Sequence, residues 1–366
     1  MRLVDLKIED VAFGGKGVAR EQGKAVFVPY TIESELVSAE IVREKKQFAE
    51  AELVEVKQAS PDRVEPKCPY FGRCGGCAYQ HISYEHQLAI KWRQVRDALQ
   101  RIGKLKDVPM RPIIASPKQY GYRNRITVHA QDGAIGFFRR DSHRLINIEL
   151  CPISSDEVNR ALADLRSQPR VRDGHYTLRT SGSARMFSQT NDEVANVLRD
   201  LVVNLVPPNQ ALLIDAYCGA GLFAKALLDK FEHVIGIDWD KFAIAAAKKN
   251  ATAKETYIAG EVETELEKVG AVHPNRPRAN DVHTGRLMSI APTTIIVDPP
   301  ATGLSEAVRN AIVELAPRTL IYVSCNPPTL ARDLRELQDK FIIESVTPLD
   351  MFPQTAEIEV AVHLHA

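Results

Sequence analysis

The chain has 366 residues, of which 45% are apolar and 26% are charged, and its 47 Lys and Arg balance 47 Asp and Glu. This composition is that of an ordinary soluble globular protein with two or three domains and an ample core. Because no apolar run approaches membrane-spanning length and Met1–Asp10 lacks a signal-peptide pattern, we expect a cytoplasmic monomer with no membrane partner.

The charge is unevenly divided between the two halves of the chain. Residues 1–180 contain 30 Lys and Arg against 23 Asp and Glu, whereas residues 181–366 contain 17 against 24. A basic front half indicates a module that binds a polyanion, although charge alone is equally compatible with a solvated surface.

Residues 1–57 alternate short β-prone runs with turns. The runs are Leu3–Ile8, Ala25–Pro29, Glu35–Val42 and Ala51–Val56, with a glycine turn at Gly14–Gly17. Several short strands with glycine turns predict a small barrel of the oligonucleotide-binding type. The spacing of Gly14, Gly17 and Phe27 resembles a TRAM domain, which implies RNA binding.

Three cysteines follow in a glycine-bearing loop at Cys68, Cys74 and Cys77, ahead of a predicted helix from Tyr84 to Ile102. Clustered cysteines in a cytoplasmic protein favour a metal site or catalysis over disulfides. Cys151 is the nearest spare thiol and the predicted fourth ligand. Four thiolates suit zinc or an iron–sulfur cluster. Zinc sites favour paired C-x-x-C hairpins and this set has one such pair, so we favour [4Fe–4S].

The predicted central α+β domain, residues 58–205, contains the most basic stretch of the chain. Residues 101–150 hold ten Lys and Arg against four Asp and Glu. Tyr120, Tyr122, Phe137 and Phe138 lie among these cations, a pattern that suits contacts to phosphates and unpaired bases. We predict paired strands around Asp132-Gly133, then a helix, a β-rich return and a further helix at Glu193–Val203.

Residues 206–366, beginning near Pro207-Pro208, alternate apolar strands with helices. Five strands are predicted at Leu212–Ala216, His233–Ile237, Thr256–Ala259, Thr294–Val297 and Leu320–Val323. Such alternation predicts a doubly wound, Rossmann-like parallel sheet. Residues 270–290 lack periodicity and are predicted to form a surface loop.

The first two of these strands indicate a cofactor site. Tyr217–Gly221 forms a glycine loop after the first strand, and Asp238 closes the second strand, where it could accept bonds from ribose hydroxyls. Ala224 stands at the third glycine position of the dinucleotide motif. We therefore favour S-adenosylmethionine, which has no pyrophosphate, over NAD.

Two further motifs follow the last two predicted strands. Asp298-Pro299-Pro300 places a carboxylate at a strand end, where we prefer a role in the cleft over a helix cap. Cys325 lies between a strand and Asn326-Pro327-Pro328, with Thr329 as the predicted cap of a helix starting at Leu330. A thiol on such a corner favours a nucleophile over a small buried hydrophobe.

These motifs together resemble one known family. They are DAYCGAG from Asp215, Asp298-Pro-Pro, VSCNPPTLARDL around Cys325, FSQTN from Phe187, and the four cysteines Cys68, Cys74, Cys77 and Cys151. Over nearly its whole length the chain is similar to the RNA uracil-5-methyltransferases that carry a TRAM domain and an iron–sulfur cluster. The branch that acts on 23S ribosomal RNA is most similar, and the branch that acts on the tRNA T-loop is its near relative.

The resemblance implies a class I methyltransferase fold and a role for each matching residue. Cys325 would be the nucleophile that attacks carbon 6 of uracil, and Glu359 the base that removes the proton from carbon 5. The choice of Glu359 over Glu357 rests on register alone. The implied cofactor contacts are Gln189, Tyr217, Leu222, Asp238, Glu261 and Asp298. Three alternatives stay open: a radical S-adenosylmethionine enzyme, whose C-x3-C-x2-C spacing differs from this loop, a non-catalytic RNA-binding protein, and an NAD-dependent oxidoreductase.

Overall fold

The structure is a computed structural model that describes residues 2–140, 142–181, 189–271 and 292–366. Almost all of the predicted loop 270–290 and the first two residues of Phe187–Asn191 lie outside these ranges. Among the described residues, no helix has both the length and the apolar character needed to cross a bilayer.

The N-terminal segment is a closed five-stranded barrel with the strand order β1-β2-β3-β5-β4. Its strands are β1 (Arg2–Val11), β2 (Lys16–Glu21), β3 (Lys24–Pro29), β4 (Leu36–Glu44) and β5 (Phe48–Gln58). Alternate residues such as Leu6, Ile8, Val26 and Val28 fill the barrel, as the two-residue period of a strand requires. The predicted barrel is confirmed, and the glycine turn also opens a strand, β2, that was not predicted.

The central segment joins helices to a four-stranded antiparallel sheet. After α1 (Tyr84–Arg101) come β6 (Arg125–Gln131), β7 (Ala134–Phe138), β8 (Leu145–Asn147), α2 (Asp156–Ser167) and β9 (Gly174–Arg179). The sheet order is β8-β7-β6-β9. β6 and β7 pair across Asp132-Gly133, as predicted, and both turn residues have positive φ, as a type I′ hairpin turn requires.

The C-terminal segment is built on a seven-stranded sheet. Its elements are α3 (Asp192–Leu205), β10 (Gln210–Ala216), α4 (Leu222–Ala226), β11 (Phe231–Asp238), α5 (Lys241–Lys248), β12 (Glu255–Ala259), α6 (Val262–Ala271), β13 (Thr294–Val297), α7 (Glu306–Leu315), β14 (Thr319–Ser324), α8 (Pro327–Leu337), β15 (Ile342–Leu349) and β16 (Glu359–His365). The order is β12-β11-β10-β13-β14-β16-β15.

The five predicted strands form a parallel sheet, as predicted, and two antiparallel strands that were not predicted extend it. β15 and β16 form an antiparallel hairpin, and β16 inserts next to β14. Antiparallel strands need no crossover helix between them, so the sequence of this hairpin lacks the strand–helix alternation from which the other strands were predicted.

Two helices of the predicted central domain pack against the C-terminal sheet. Val95 and Leu99 of α1 join the core on one face of the sheet. Val194, Leu198 and Val202 of α3 join the core on the other face. Each such buried aliphatic side chain contributes about 1.5–3 kcal/mol. The domain boundaries after residues 57 and 205 stay predictions. The two helices pack the predicted central domain against the predicted C-terminal domain.

Candidate active site

A cavity of about 1370 Å³ opens at the carboxyl ends of the parallel strands. Its lining includes seven of the eight residues predicted for catalysis and cofactor binding, namely Cys325, Glu359, Gln189, Tyr217, Leu222, Asp238 and Asp298. The eighth, Glu261, lines an adjoining cavity of about 650 Å³, whose lining shares Tyr217 and Trp239 with the larger one. The volume exceeds that of a usual single-ligand pocket, so it can hold a cofactor and a second group.

Cys325 lies at the corner between β14 and α8, and hydrogen bonds made by its neighbours Ser324 and Asn326 fix the backbone there. Ser324, the last residue of β14, accepts a hydrogen bond on its hydroxyl from the Asn326 backbone N–H at 3.1 Å. Asn326, not the predicted Thr329, caps α8: its side-chain oxygen accepts from the Thr329 N–H at 3.4 Å. The helix starts at Pro327 rather than Leu330, because proline suits the first helical turn, where no N–H partner is needed.

The final hairpin brings Glu359 beside this thiol. β14 and β16 are antiparallel, and Ser324 is paired to Val360. Cys325, which follows Ser324, therefore lies opposite Glu359, which precedes Val360. Glu359 is 2% exposed and its Oε1 has no hydrogen-bond partner in the described residues. Glu357 lines the same cavity but is exposed.

Burial raises the pKa of three groups that line the cavity, Glu359, Asp298 and Cys325. The pKa of the Glu359 carboxyl lies well above its usual range because of burial, with Asp298 and Glu357 adding repulsion. Burial and the charge of Asp238 raise the pKa of Asp298 to about 7. Burial, Glu359 and Asp298 raise the pKa of the Cys325 thiol to about 12. Burial therefore disfavours the charged form of each of these three groups, and a negative charge on one of them disfavours it on the others.

The glycine loop after β10 is shaped by two aspartates. Asp238 accepts on Oδ2 from the Gly219 N–H and on Oδ1 from the Asp240 N–H, both at 2.8 Å. Asp215 is fully buried and accepts from the Ala224 N–H at 2.8 Å, which fixes the first turn of α4. Gly219 has φ +54, and a Cβ built on it meets no atom within 4 Å. The loop thus leaves open space beside its backbone, as a bound ligand requires.

The charged residues that line the large cavity are mainly acidic. Its charged residues are Asp192, Asp200, Asp238, Asp240, Asp298, Glu357 and Glu359 against Arg125, Arg199 and Lys225. An acidic lining attracts a cationic sulfonium and repels a pyrophosphate. The acidic side chains and the open glycine loop therefore fit S-adenosylmethionine better than NAD.

Residues 350–358, here called the base loop after the role predicted for Glu359, connect β15 to that residue. The loop is hydrogen-bonded mainly from the N-terminal half of the chain. Lys91 Nζ donates to Asp350 Oδ1 at 2.6 Å, and both side chains are fully buried. The further donors are the backbone N–H groups of Ala78 and Tyr79 to Gln354 O at 3.1 and 3.0 Å, the Tyr122 hydroxyl to Pro353 O at 2.9 Å, and Asn191 Nδ2 to Met351 O at 3.3 Å. Tyr122, predicted among the RNA-facing aromatics, is thus a buried structural residue.

The four predicted cluster cysteines meet around a separate cavity of about 300 Å³, which Cys68, Cys74, Cys77 and Cys151 all line. Burial raises the pKa of Cys68, Cys74 and Cys77, and Cys151 adds to each shift. Within the described ranges, no three Cys, His, Asp or Glu side chains are arranged to hold one metal ion. The four cysteines thus border one cavity, and their role as cluster ligands stays a prediction.

Asp333, in the second half of the Cys325 motif, was not predicted to matter. Its carboxylate is fully buried and joins two loops of the site. Oδ2 accepts from the Leu304 N–H at 2.8 Å and the Tyr322 hydroxyl at 2.7 Å, while Oδ1 accepts from Arg309 at 3.1 Å and Arg332 at 2.9 Å. An aspartate inside a helix resembles an ordinary surface residue in sequence, so only the fold reveals this junction.

Trp239 and Phe13 were also missed. Trp239 follows Asp238, is 67% exposed and lines both cavities. Phe13 comes from the barrel and lines the large cavity. An aromatic residue directly after the strand-ending acid could have been noticed, whereas Phe13 reaches the site only through tertiary packing.

Comparison with known proteins assigns the family. Residues 2–54 match the TRAM domain, and residues 170–366, over half of the chain, match the family tRNA (Uracil-5-)-methyltransferase. An RNA methyltransferase of Bdellovibrio bacteriovorus is 32% identical, covering 99% of this chain and 94% of its own length. One of Halalkalibacterium halodurans is 30% identical, covering 98% and 95%.

The fold agrees with this assignment. The tRNA (uracil-54, C5)-methyltransferase of Pyrococcus abyssi, solved with S-adenosyl-L-homocysteine, is 22% identical and superposes with a TM-score of 0.69 over 99% of this chain and 100% of its own. The predicted TRAM barrel and class I methyltransferase fold are confirmed. Methyl transfer is confirmed over NAD-dependent oxidation and over RNA binding without catalysis. The chain belongs to the tRNA (uracil-5-)-methyltransferase family and is an RNA uracil-5-methyltransferase.

Proposed function

We propose that this enzyme methylates carbon 5 of one uridine in 23S ribosomal RNA, with Cys325 as nucleophile and Glu359 as base. The observation that carries this proposal is the antiparallel register of β14 and β16, which sets the thiol and the buried carboxylate side by side in the cavity that holds the glycine loop. A uridine must leave its base stack to enter this cavity, which unpaired RNA permits at low cost.

The chemistry needs one covalent bond to the protein and one proton transfer. The Cys325 thiol loses its proton to solvent and its sulfur adds to carbon 6, so that the double bond between carbons 5 and 6 opens and places electron density on carbon 5. S-adenosylmethionine bound at the glycine loop supplies the methyl group to carbon 5. Glu359 then takes the proton from carbon 5, the bond between sulfur and carbon 6 breaks, and the double bond of the ring returns.

The raised pKa values of Cys325, Asp298 and Glu359 give the acidic lining a further role. In the free enzyme the raised pKa of the Cys325 thiol keeps it protonated near neutral pH, so it is a weak nucleophile. A cation beside them favours each charged form and lowers all three pKa values. Asp238 and the glycine loop would hold the cationic methyl donor in the same cavity as Cys325, where its charge would favour the Cys325 thiolate.

Substitution of each reacting group tests the mechanism. Cys325→Ala should abolish transfer of labelled methyl groups to RNA. Glu359→Gln should still form the bond to carbon 6 and methylate carbon 5 but fail to release product, so RNA stays attached through denaturing electrophoresis. Glu357→Gln is the matched control and should turn over. Normal turnover by Glu359→Gln would refute the assignment of the base.

The choice of RNA rests on the motif resemblance, which favours 23S ribosomal RNA. A uridine of the tRNA T-loop is the second candidate, because the Pyrococcus abyssi enzyme with the same fold is named for uridine 54 of tRNA. Methylation of transcribed 23S rRNA and tRNA side by side, with mass spectrometry of the product, distinguishes them. Transfer to tRNA alone would overturn the first choice. A monomeric state and a cytoplasmic location stay predictions.

We further propose that Cys68, Cys74, Cys77 and Cys151 hold a [4Fe–4S] cluster. The support is their convergence on one cavity and the single short C-x-x-C pair in the set. Anaerobic purification followed by iron, sulfide and zinc analysis tests this. Four iron and four sulfide per chain, lost in Cys74→Ser, would support the cluster. One zinc per chain would instead refute it and indicate a zinc site.

A further inference from the structure

Phe13 is an exposed phenylalanine at the rim of the catalytic cavity. It lies in the loop between β1 and β2, its side chain is 42% exposed, and it lines the same cavity as Cys325 and Glu359. Among the described residues no other aromatic ring stacks on it, and it belongs to none of the buried clusters. A single exposed apolar residue is ordinary on a protein surface, so its position needs support from its surroundings.

The backbone around Phe13 is held in place by buried contacts. Gln94 of α1, itself 6% exposed, donates from Nε2 to Val11 O at 2.9 Å and to Ala12 O at 3.0 Å. On the other side, the Gly15 N–H donates to Ala12 O at 2.9 Å and closes the turn. The residues flanking Phe13 are thus fixed, while its ring is left in solvent.

The same turn is pressed against the segment that leads to the base. A Cβ built on Gly15 would lie 2.8 Å from the Ala78 Cβ and 3.2 Å from the Ala356 Cβ, and the residue has φ +85. Ala356 belongs to the base loop and immediately precedes Glu357. The barrel is therefore docked so that Phe13 reaches the entrance of the cavity, and glycine permits this close approach.

From this geometry we propose that Phe13 is a substrate-binding residue that stacks on an unpaired base next to the target uridine. This inference rests on the proposed methylation of RNA. When the uridine enters the cavity, its neighbours in the strand lose a stacking partner and remain at the entrance. An aromatic ring there replaces that stacking, and because the backbone of Phe13 is already fixed, binding loses no conformational entropy of that backbone.

The proposal is tested with the oligoribonucleotide that spans the methylated uridine, bound to enzyme carrying Cys325→Ala so that no reaction follows. Phe13→Ala should weaken RNA binding by about tenfold to a hundredfold, the range expected for one stacked base. Phe13→Trp should restore binding, and Phe13→Leu, which is apolar but not aromatic, should not. Phe242→Ala is the matched control, because Phe242 is 80% exposed but does not line the cavity.

Replacing each nucleotide beside the target by an abasic site identifies the stacked base. One such replacement should weaken binding to the Phe13 enzyme and leave binding to Phe13→Ala unchanged. Equal effects in both enzymes would overturn the proposal, as would a Phe13→Ala enzyme that binds this RNA normally or loses affinity only for S-adenosylmethionine. Absence of methylation by the wild-type enzyme would instead refute the proposed function itself.

Discussion

Replacement of Asp333 by Asn should destabilise the C-terminal domain severely, although the two side chains have the same shape. The carboxylate accepts four hydrogen bonds, two on each oxygen, from Leu304, Tyr322, Arg309 and Arg332. An amide has one oxygen, so its NH₂ group must face donors on one side, and the buried charge that offsets Arg309 is lost. Breaking a buried ion pair in this way costs about 3–5 kcal/mol.

The measurement is the thermal unfolding midpoint of the C-terminal domain. In a domain of this size, 1 kcal/mol shifts the midpoint by about 2–4 °C, so a fall on the order of 10 °C is expected. Because Asp333 ties the loop after Asp298 to the helix after Cys325, kcat should also fall by about tenfold to a hundredfold. Arg335→Ala, an exposed change on the same helix, is the control and should stay within about 0.5 kcal/mol. If Asp333→Asn melts within about 2 °C of the wild type, this reasoning is wrong.

Three further outcomes are expected. Glu357→Gln removes a negative charge that raises the pKa of Glu359, so the rise of kcat/KM with pH should move to lower pH, and a shift to higher pH would contradict the assigned cause. Lys91→Met leaves the Asp350 carboxylate buried without its cation and should cost about 3–5 kcal/mol by thermal unfolding, with partial recovery in Lys91→Met/Asp350→Asn. Asp238→Ala should raise the Kd for S-adenosylmethionine measured by calorimetry while RNA affinity stays near that of the wild type, because Asp238 shapes the glycine loop.

Local sequence rules predict those parts of the site that depend on a strand followed by a turn. Asp238, Asp298 and Cys325 each end or follow a β-prone run, and parallel strands present their carboxyl ends at one edge, so their meeting could be foreseen. The position of Glu359 could not be derived in this way. It depends on an antiparallel strand that inserts between β14 and β15 after a nine-residue connection, and no local period specifies that pairing.

The helix after Cys325 shows the limit of reading caps from sequence. Thr329 is a good capping residue, but Asn326 caps equally well and lets both prolines occupy the first turn. No local rule predicts the positions of Lys91, Gln94 and Phe13. Lys91 bonds Asp350 and Gln94 bonds Val11, in each case more than 80 residues away, and Phe13 lines a cavity with Cys325.

The anchoring of the base loop has a consequence for how this molecule could be dissected. A fragment made of the family-matched residues 170–366 would keep the strands, the glycine loop and Cys325. It would lack Lys91, Tyr122 and the backbone donors of Ala78 and Tyr79. The Asp350 carboxylate and the carbonyl oxygens of Pro353 and Gln354 would then lose these hydrogen-bond partners, which is costly for buried polar groups. A chimaera of this C-terminal module and a foreign RNA-binding partner would therefore lose the contacts that fix Glu359, the proposed base, even if its methyl-donor site folds correctly.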